Sequence, residues 1–171
     1  MSAHDRIRRQ QLVQQAEGYL ELGMARHALD VLARWGDPQS LPDHALYLQG
    51  QGLRELGRCR EALEPLSRAA HGDPGNTSIW LALGWCYKRT GKLDRAIESL
   101  EEALTAEPND ALVHYNLACY WSLAHNKRQA LTYLSRALDL EDELRTLVAD
   151  ESDFDAIRDD PAFQTLVRVA V

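Results

Sequence analysis

No apolar run in the 171 residues approaches the roughly 18 needed to cross a bilayer, which excludes a membrane-spanning helix. An excess of positive charge is lacking as well. With 19 Lys and Arg against 26 Asp and Glu the formal charge is −7, so general affinity for nucleic-acid phosphates is not expected. Cysteine is sparse, and three residues, odd in number and widely spaced, fit a reducing compartment better than a disulfide framework. Cys86 and Cys119 fall at similar points of the chain's periodic pattern, whereas Cys59 belongs to a different segment. There is no CxxC or HxxxH spacing for zinc, and the six histidines occupy unrelated positions, so neither a metal set nor a catalytic pair is expected. Gly50-Gln51-Gly52 has Glu55 where a dinucleotide turn needs its third glycine, and no strand pattern surrounds it. Nor do a nucleophile, a base and an orienting group converge by spacing, so the chain is expected to be non-enzymatic and without a cofactor. Arg6, Arg8 and Arg9 are followed by Gln10 and Gln11 instead of an apolar stretch. No secretory leader is read there, and the expected location is cytoplasmic.

What the chain does have is a repeat. Residues 77–108 place Trp80, Leu83, Gly84, Tyr87, Ala96, Leu100 and Pro108 at a distinctive set of intervals. Stepping this frame back puts Gly50, Gly57, Ala62, Leu66, Ala69 and Pro74 at equivalent points. Stepping it forward finds Leu117, Ala118, Trp121, Ala130, Leu134 and Ala137, with His125 in place of the turn glycine and Asp142 in place of the closing proline. An earlier, degenerate unit keeps Ala16, Tyr19, Gly23, Ala28 and Leu32, but Trp35 stands at a small position before a Gly36-Asp37-Pro38 break. Small residues at fixed points let two helices approach to roughly 8 to 10 Å, and large ones between them fill the space. Leu83 and Tyr87 are four apart, and Ala96, Leu100 and Ala103 are four and three apart, so each helix carries an apolar stripe. One such pair cannot bury its own stripe, and stacking makes the core continuous.

The intervals W-x2-L-G-x2-Y, A-x3-[FL] and Pro resemble the tetratricopeptide repeat, a helix-turn-helix unit of about 34 residues. The resemblance implies one all-α domain over residues 1–171, a right-handed helical solenoid with repeats at 9–42, 43–76, 77–110 and 111–144. Residues 145–171 would form C-terminal capping helices, because acidic side chains there alternate with Leu147, Val148, Phe154, Ile157, Phe163 and Leu166 at helical intervals. Asp160 before Pro161 reads as an N-cap with proline at the first helical position. The run D-F-D-A-I-R-D-D-P-A-F also looks like an ending of bacterial members of the family, which implies a bacterial source. Met1 to Asp5 should be loose, the first helix should cover about Ile7 to Leu22 and the second about Arg26 to Trp35. Pro65 should bend its helix, which tertiary burial would carry, since an interior proline costs about 3 kcal/mol.

Such arrays hold peptides along the first helices of successive repeats. The residues this would turn inward include Tyr47, Gln51 and Arg54, then Leu81, Trp85, Lys88 and Arg89, then Tyr115, Asn116 and Cys119. Aromatic platforms beside Arg54, Lys88 and Arg89 suit a protein or peptide ligand with apolar and acidic groups. A competing reading packs Trp85 and Tyr115 against neighbouring helices. Cochaperones of the family that grip an EEVD tail use lysine at the fifth position of a repeat, where this chain offers Val13, Tyr47, Leu81 or Tyr115. That clamp is absent, although Asn116 fits in isolation. The expected function is therefore a monomeric protein-interaction scaffold. Alternatives are a bacterial secretion-type chaperone, or a structural assembly subunit that uses its convex face.

Overall fold

Each apolar stripe becomes a helix, and each short polar break becomes a turn too tight for anything but an antiparallel return. In the computed structural model, which describes residues 3–168, these returns build four successive hairpins. They are α1 (Ala3–Glu21) with α2 (Ala25–Leu32), α3 (Asp43–Glu55) with α4 (Cys59–Gly72), α5 (Thr77–Arg89) with α6 (Leu93–Ala106), and α7 (Ala111–Leu123) with α8 (Lys127–Leu140). A tail follows, made of α9 (Arg145–Val148), a 3-10 segment Ser152–Ile157 and α10 (Pro161–Val167). No strand occurs among the described residues. Contacts between helices run within each hairpin and between consecutive hairpins, and α3 also touches both α1 and α5. The stack thus curves toward its first helices, which line the inner face.

All four hairpin turns are closed by the same pair of backbone bonds. Met24, Arg58, Lys92 and Asn126 donate to Tyr19, Leu53, Tyr87 and Trp121, while Gly23, Gly57, Gly91 and His125 donate to Leu20, Arg54, Lys88 and Ser122. This arrangement needs a left-handed residue just past the helix, and glycine supplies it at φ 69°, 73° and 77° in the first three turns. In the fourth, His125 is held at φ 57°. The turn closes in spite of the imidazole, at a cost in backbone strain.

The hairpin interiors are built from small residues facing large ones. Ala62, Leu66, Ala69, Ala96, Leu100, Ala103, Ala130, Leu134 and Ala137 have no exposed surface. The buried residues form two clusters, one through α1 to α5 and one from α6 to the tail, and Trp80 and Tyr87 pack against both. Trp80 also donates from Nε1 to the Pro74 carbonyl at 2.9 Å, which ties α5 to the turn before it.

Several local expectations are corrected. Ala3 to Asp5 are helical, because a solvated first turn needs no apolar residue and Asp5 suits the positive end of the helix. Met1, Ser2 and residues 169–171 lie outside the described residues. The α-helix of α2 stops at Leu32 and tightens to a 3-10 turn at Ala33–Trp35. The linker then folds over Trp35, whose Nε1 donates to Ser40 Oγ at 3.1 Å, and Arg68 donates to the Gln39 carbonyl at 3.0 Å. α4 runs through Pro65 as one helix with the ring buried, so packing carries it past the missing backbone donor, in keeping with the expectation for that helix. Between hairpins, Asp110 caps α7 by accepting from Val113 N at 2.9 Å. Asn76 does not cap α5, since its amide donates to Asp73 at 3.3 Å instead.

His125→Gly is expected to stabilise the protein by about 1 kcal/mol, because it removes the left-handed strain that the other three turns avoid. Urea denaturation with an unchanged or lower midpoint would show that the imidazole contributes more than the strain costs. Ala96→Leu should cost about 1–3 kcal/mol, since the added methylenes have no space in the α5–α6 crossing. Thermal unfolding of that variant at the wild-type temperature would contradict the close crossing.

Candidate functional site

Side chains that point along neither hairpin interior emerge on the inner face, and the repeat brings chemically different groups to it in turn. On α3, Tyr47 and Gln51 are half-buried, and Gln51 donates from Nε2 to the Tyr47 hydroxyl at 2.6 Å. On α5, Leu81 is half-buried, as is Trp85, whose ring is also packed against the first core cluster. Two guanidinium groups flank that ring, with Arg54 Cζ at 5.7 Å and Arg89 Cζ at 5.6 Å from its centre. Such contacts contribute about 0.5–1 kcal/mol each where water reaches them, so they orient the arginines more than they bind them. Among the described residues no carboxylate is ion-paired with Arg54 or Arg89. Trp85 therefore joins the two readings made of it: one part of the indole is core, and the rest is a platform between two cations.

The fourth hairpin departs from the expected groove. Tyr115 and Cys119 are buried, at 5% and 2% exposure, because the tail lies on α7. Phe154, with no exposed surface, meets the Tyr115 ring edge-on at 5.8 Å and the Phe163 ring at 5.5 Å. Its neighbour Asp153 forms an ion pair with Lys88, whose ammonium also lies 5.5 Å from the centre of the Tyr120 ring. The side chains of that pair are only 24% and 11% exposed, so the pair is shielded from solvent. Asn116, which was placed in the groove as well, donates its amide to the carbonyl of Leu112 on its own helix at 2.8 Å. Spacing on α7 put Tyr115 and Cys119 on the correct side of the helix and missed what covers them. A signal for the cover was present, since Phe154 follows an aspartate in an otherwise acidic stretch.

The tail is fixed by several polar ties. Arg158 donates to the carbonyls of Ala149 at 3.0 Å and Glu151 at 2.7 Å, Arg145 to that of Leu166, and Lys127 to Asp160 at 2.7 Å. Asp160 caps α10 by accepting from Ala162 N at 2.9 Å, with Pro161 next in line. Cys119, Glu151 and Asp153 bring one possible ligand atom each within 4.8 Å of one another. Lys88 already supplies the countercharge there, and burial, reinforced by Glu151 and Asp153, pushes the Cys119 thiol well up and keeps it protonated. The cluster is thus complete as an ion pair. Burial likewise pushes the Cys86 thiol up to about 12, and its close neighbour is Cys59 of α4, not Cys119.

At the opposite end, a cleft of about 510 Å³ opens between α1 and the start of α3, lined among others by Arg9, Val13, Glu17, Trp35 and His44. Val13 and Glu17 hold the positions in the first unit that Tyr47 and Gln51 hold in the second, so the inner face continues into α1. Degeneracy of the first repeat hid this extension, although its frame already contained these positions.

A family model described as Tetratricopeptide repeat matches residues 53–118. Over that stretch the chain is similar to tetratricopeptide repeats. MamA residues 41 to the end, from Desulfovibrio magneticus RS-1, superposes with a TM-score of 0.72 at 18% identity, over 93% of this chain and 93% of that one. YrrB, described as a tetratricopeptide repeat protein with an unusual peptide-binding site, gives 0.70 at 23% identity over 78% of this chain and 69% of its own. TTC0263, a thermophilic member from Thermus thermophilus, gives 0.65 at 22% over 92% and 94%. At these identities the likeness shows the fold. None of the curated proteins compared with the sequence matches it.

Phe154→Ala should destabilise the protein by about 3–5 kcal/mol, because a fully buried ring leaves a cavity over Tyr115. Removal of residues 150–171 should go further and cause aggregation, as α7 would expose its apolar inner face. Size-exclusion chromatography that finds a truncated monomer with unchanged melting would contradict the cover.

Proposed function

We propose that the protein is a non-enzymatic interaction scaffold whose inner face, along α1, α3 and α5, holds a segment of another protein. The observation that carries this reading is the Trp85 platform flanked by Arg54 and Arg89, two cations without an ion-pair partner among the described residues of an acidic protein. Tryptophan and arginine are the residues that most often dominate binding energy when a partner excludes water from them. Tyr47 and Leu81, both half-buried, extend the apolar surface on either side. A ligand with apolar anchors and an acidic group would cover the indole and neutralise the guanidinium groups together, whereas a neutral ligand would leave two desolvated charges unmatched. That a neighbour in fold, YrrB, is described by its peptide-binding site supports a role of this class. No described helix is long and apolar enough to cross a membrane. As part of this proposal the protein acts as a monomer in the cytoplasm.

The tail fills the section of the inner face at α7, so in this reading that section takes no part in binding. Binding therefore rests on the α3–α5 section and, beyond it, on the cleft beside α1. The extent of the partner segment follows: long enough to cross two or three hairpins, in an extended or helical form.

Trp85→Ala tests the reading on one sample. Binding partners recovered from a bacterial lysate with the wild type should be lost with the variant, a weakening of at least tenfold. Melting should fall less than the 3–5 kcal/mol expected of a fully buried tryptophan, since part of the ring is exposed. Arg89→Glu should weaken capture too, with a dependence on salt. Capture that is unaffected in both variants removes the inner face from the function.

A further inference from the structure

The tail shows how this inner face receives an acidic and aromatic segment. Asp153 offers its carboxylate to Lys88 on α5, and the next residue, Phe154, lays its ring against Tyr115 on α7. Two adjacent residues thus span two first helices, the acid held by one and the ring by the other. The sequence repeats the receiving groups one unit earlier. Arg54 on α3 stands where Lys88 stands on α5, while Leu81 and Trp85 on α5 stand where Tyr115 and Cys119 stand on α7. At this upstream position the cation has no carboxylate among the described residues, and its aromatic neighbour is half-exposed. One difference matters for shape. Cys119 is small, and the tail packs down over it until it is buried. Trp85 fills the same position, so a ring arriving there lies on the indole, with Arg89 adding a second cation.

We infer that the α3–α5 section of the inner face recognises a partner segment in which an acidic residue is followed directly by an aromatic one, the pairing that Asp153 and Phe154 present to α5 and α7. The inference rests on the inner-face reading above and names the chemistry of its ligand. Charge complementarity supports it: the acid meets Arg54 and Arg89, neither of which is ion-paired with a carboxylate among the described residues. The occupied section supplies the pattern, since the same two residue types already sit on the equivalent groups one repeat further on.

A synthetic peptide with the chain's own residues 150–158, labelled with a fluorophore, is the probe, and it is titrated with the full-length protein while anisotropy is followed. Saturable binding is expected, weakened at least tenfold by Arg54→Glu in the protein. It should be weakened as much when the peptide carries alanine for its phenylalanine, or when its acid and ring are separated in a scrambled sequence of equal charge. Because the peptide changes leave the protein untouched, misfolding cannot account for them. Absence of saturable binding up to millimolar protein overturns the inference. So does binding that survives Arg54→Glu but is lost with Lys88→Glu, because the peptide would then be exchanging with the tail. If the peptide fails while Trp85→Ala still abolishes capture of a cellular partner, the inner-face reading stands and only the acidic-aromatic chemistry is wrong.

Discussion

The two helices of each hairpin cross with almost no space between their backbones, and this close approach governs the rest of the molecule. A Cβ placed on Gly84 would meet Leu100 Cδ2 at 3.1 Å and the Ala96 carbonyl at 3.3 Å, and one on Gly50 would meet Leu66 Cγ at 2.4 Å. Leu66 and Leu100 fill the crossings so completely that neither has exposed surface. Since the crossing is specified by a few small and large residues, the positions facing the inner surface carry no part of it. They are free to hold Tyr47, Arg54, Trp85 or Cys119 without disturbing the hairpin. The division between residues that make the stack and residues that decorate it is what allows one architecture to present a varied surface.

The two ends of the described stack differ in what covers them. At the C-terminal end Phe154, Ile157 and Phe163 are buried with α7 and α8, so the last apolar faces are closed by the chain itself. A cover of apolar residues alone would have left the Lys88 ammonium half-buried beside Tyr120 with no anion, an arrangement that costs several kcal/mol unless a charge answers it. Asp153 answers it, which makes the tail specific for this section of the face. At the other end the inner side of α1 opens into the cleft beside Trp35 and His44.

The stack was legible in the sequence, because the interval pattern states which residues must be small and which must be large. Gly50, Gly84, Ala96 and Leu100 could be read directly as a crossing. The site was legible only in part. Spacing put Arg54, Trp85 and Arg89 on one surface, and they do gather there, within 5.7 Å of the indole centre. For Tyr115 and Cys119 it gave the side of the helix and not their burial, since the covering ring comes from a segment 35 to 39 residues on, whose helical spacing marks a cap but not the surface on which it lies. Similarly, the end of α2 was misplaced because Trp35 is apolar and continues the stripe, while its indole nitrogen bonds forward to Ser40 and draws the chain into a tighter turn. Local pattern reveals contacts between neighbours in sequence, and contacts between distant segments stay hidden from it.

Size at a single inner-face position separates the section the protein keeps for itself from the section it leaves open. With Cys119 beneath it, the tail can sink onto α7 until Phe154 is fully enclosed and the Lys88 charge is answered by Asp153. Trp85 at the equivalent point of α5 denies any segment such depth, so whatever lies there remains near the surface and must be held by charge and by contact with one ring face. Burial of that kind is shallower, and dissociation correspondingly faster, than for an enclosed phenylalanine. The tail, tied down by Arg158, Lys127 and Arg145, is committed to the deep section and does not compete for the shallow one. An inner face closed at α7 and open at α3 and α5 thus follows from the placing of a small residue in one repeat and a large one in the repeat before it.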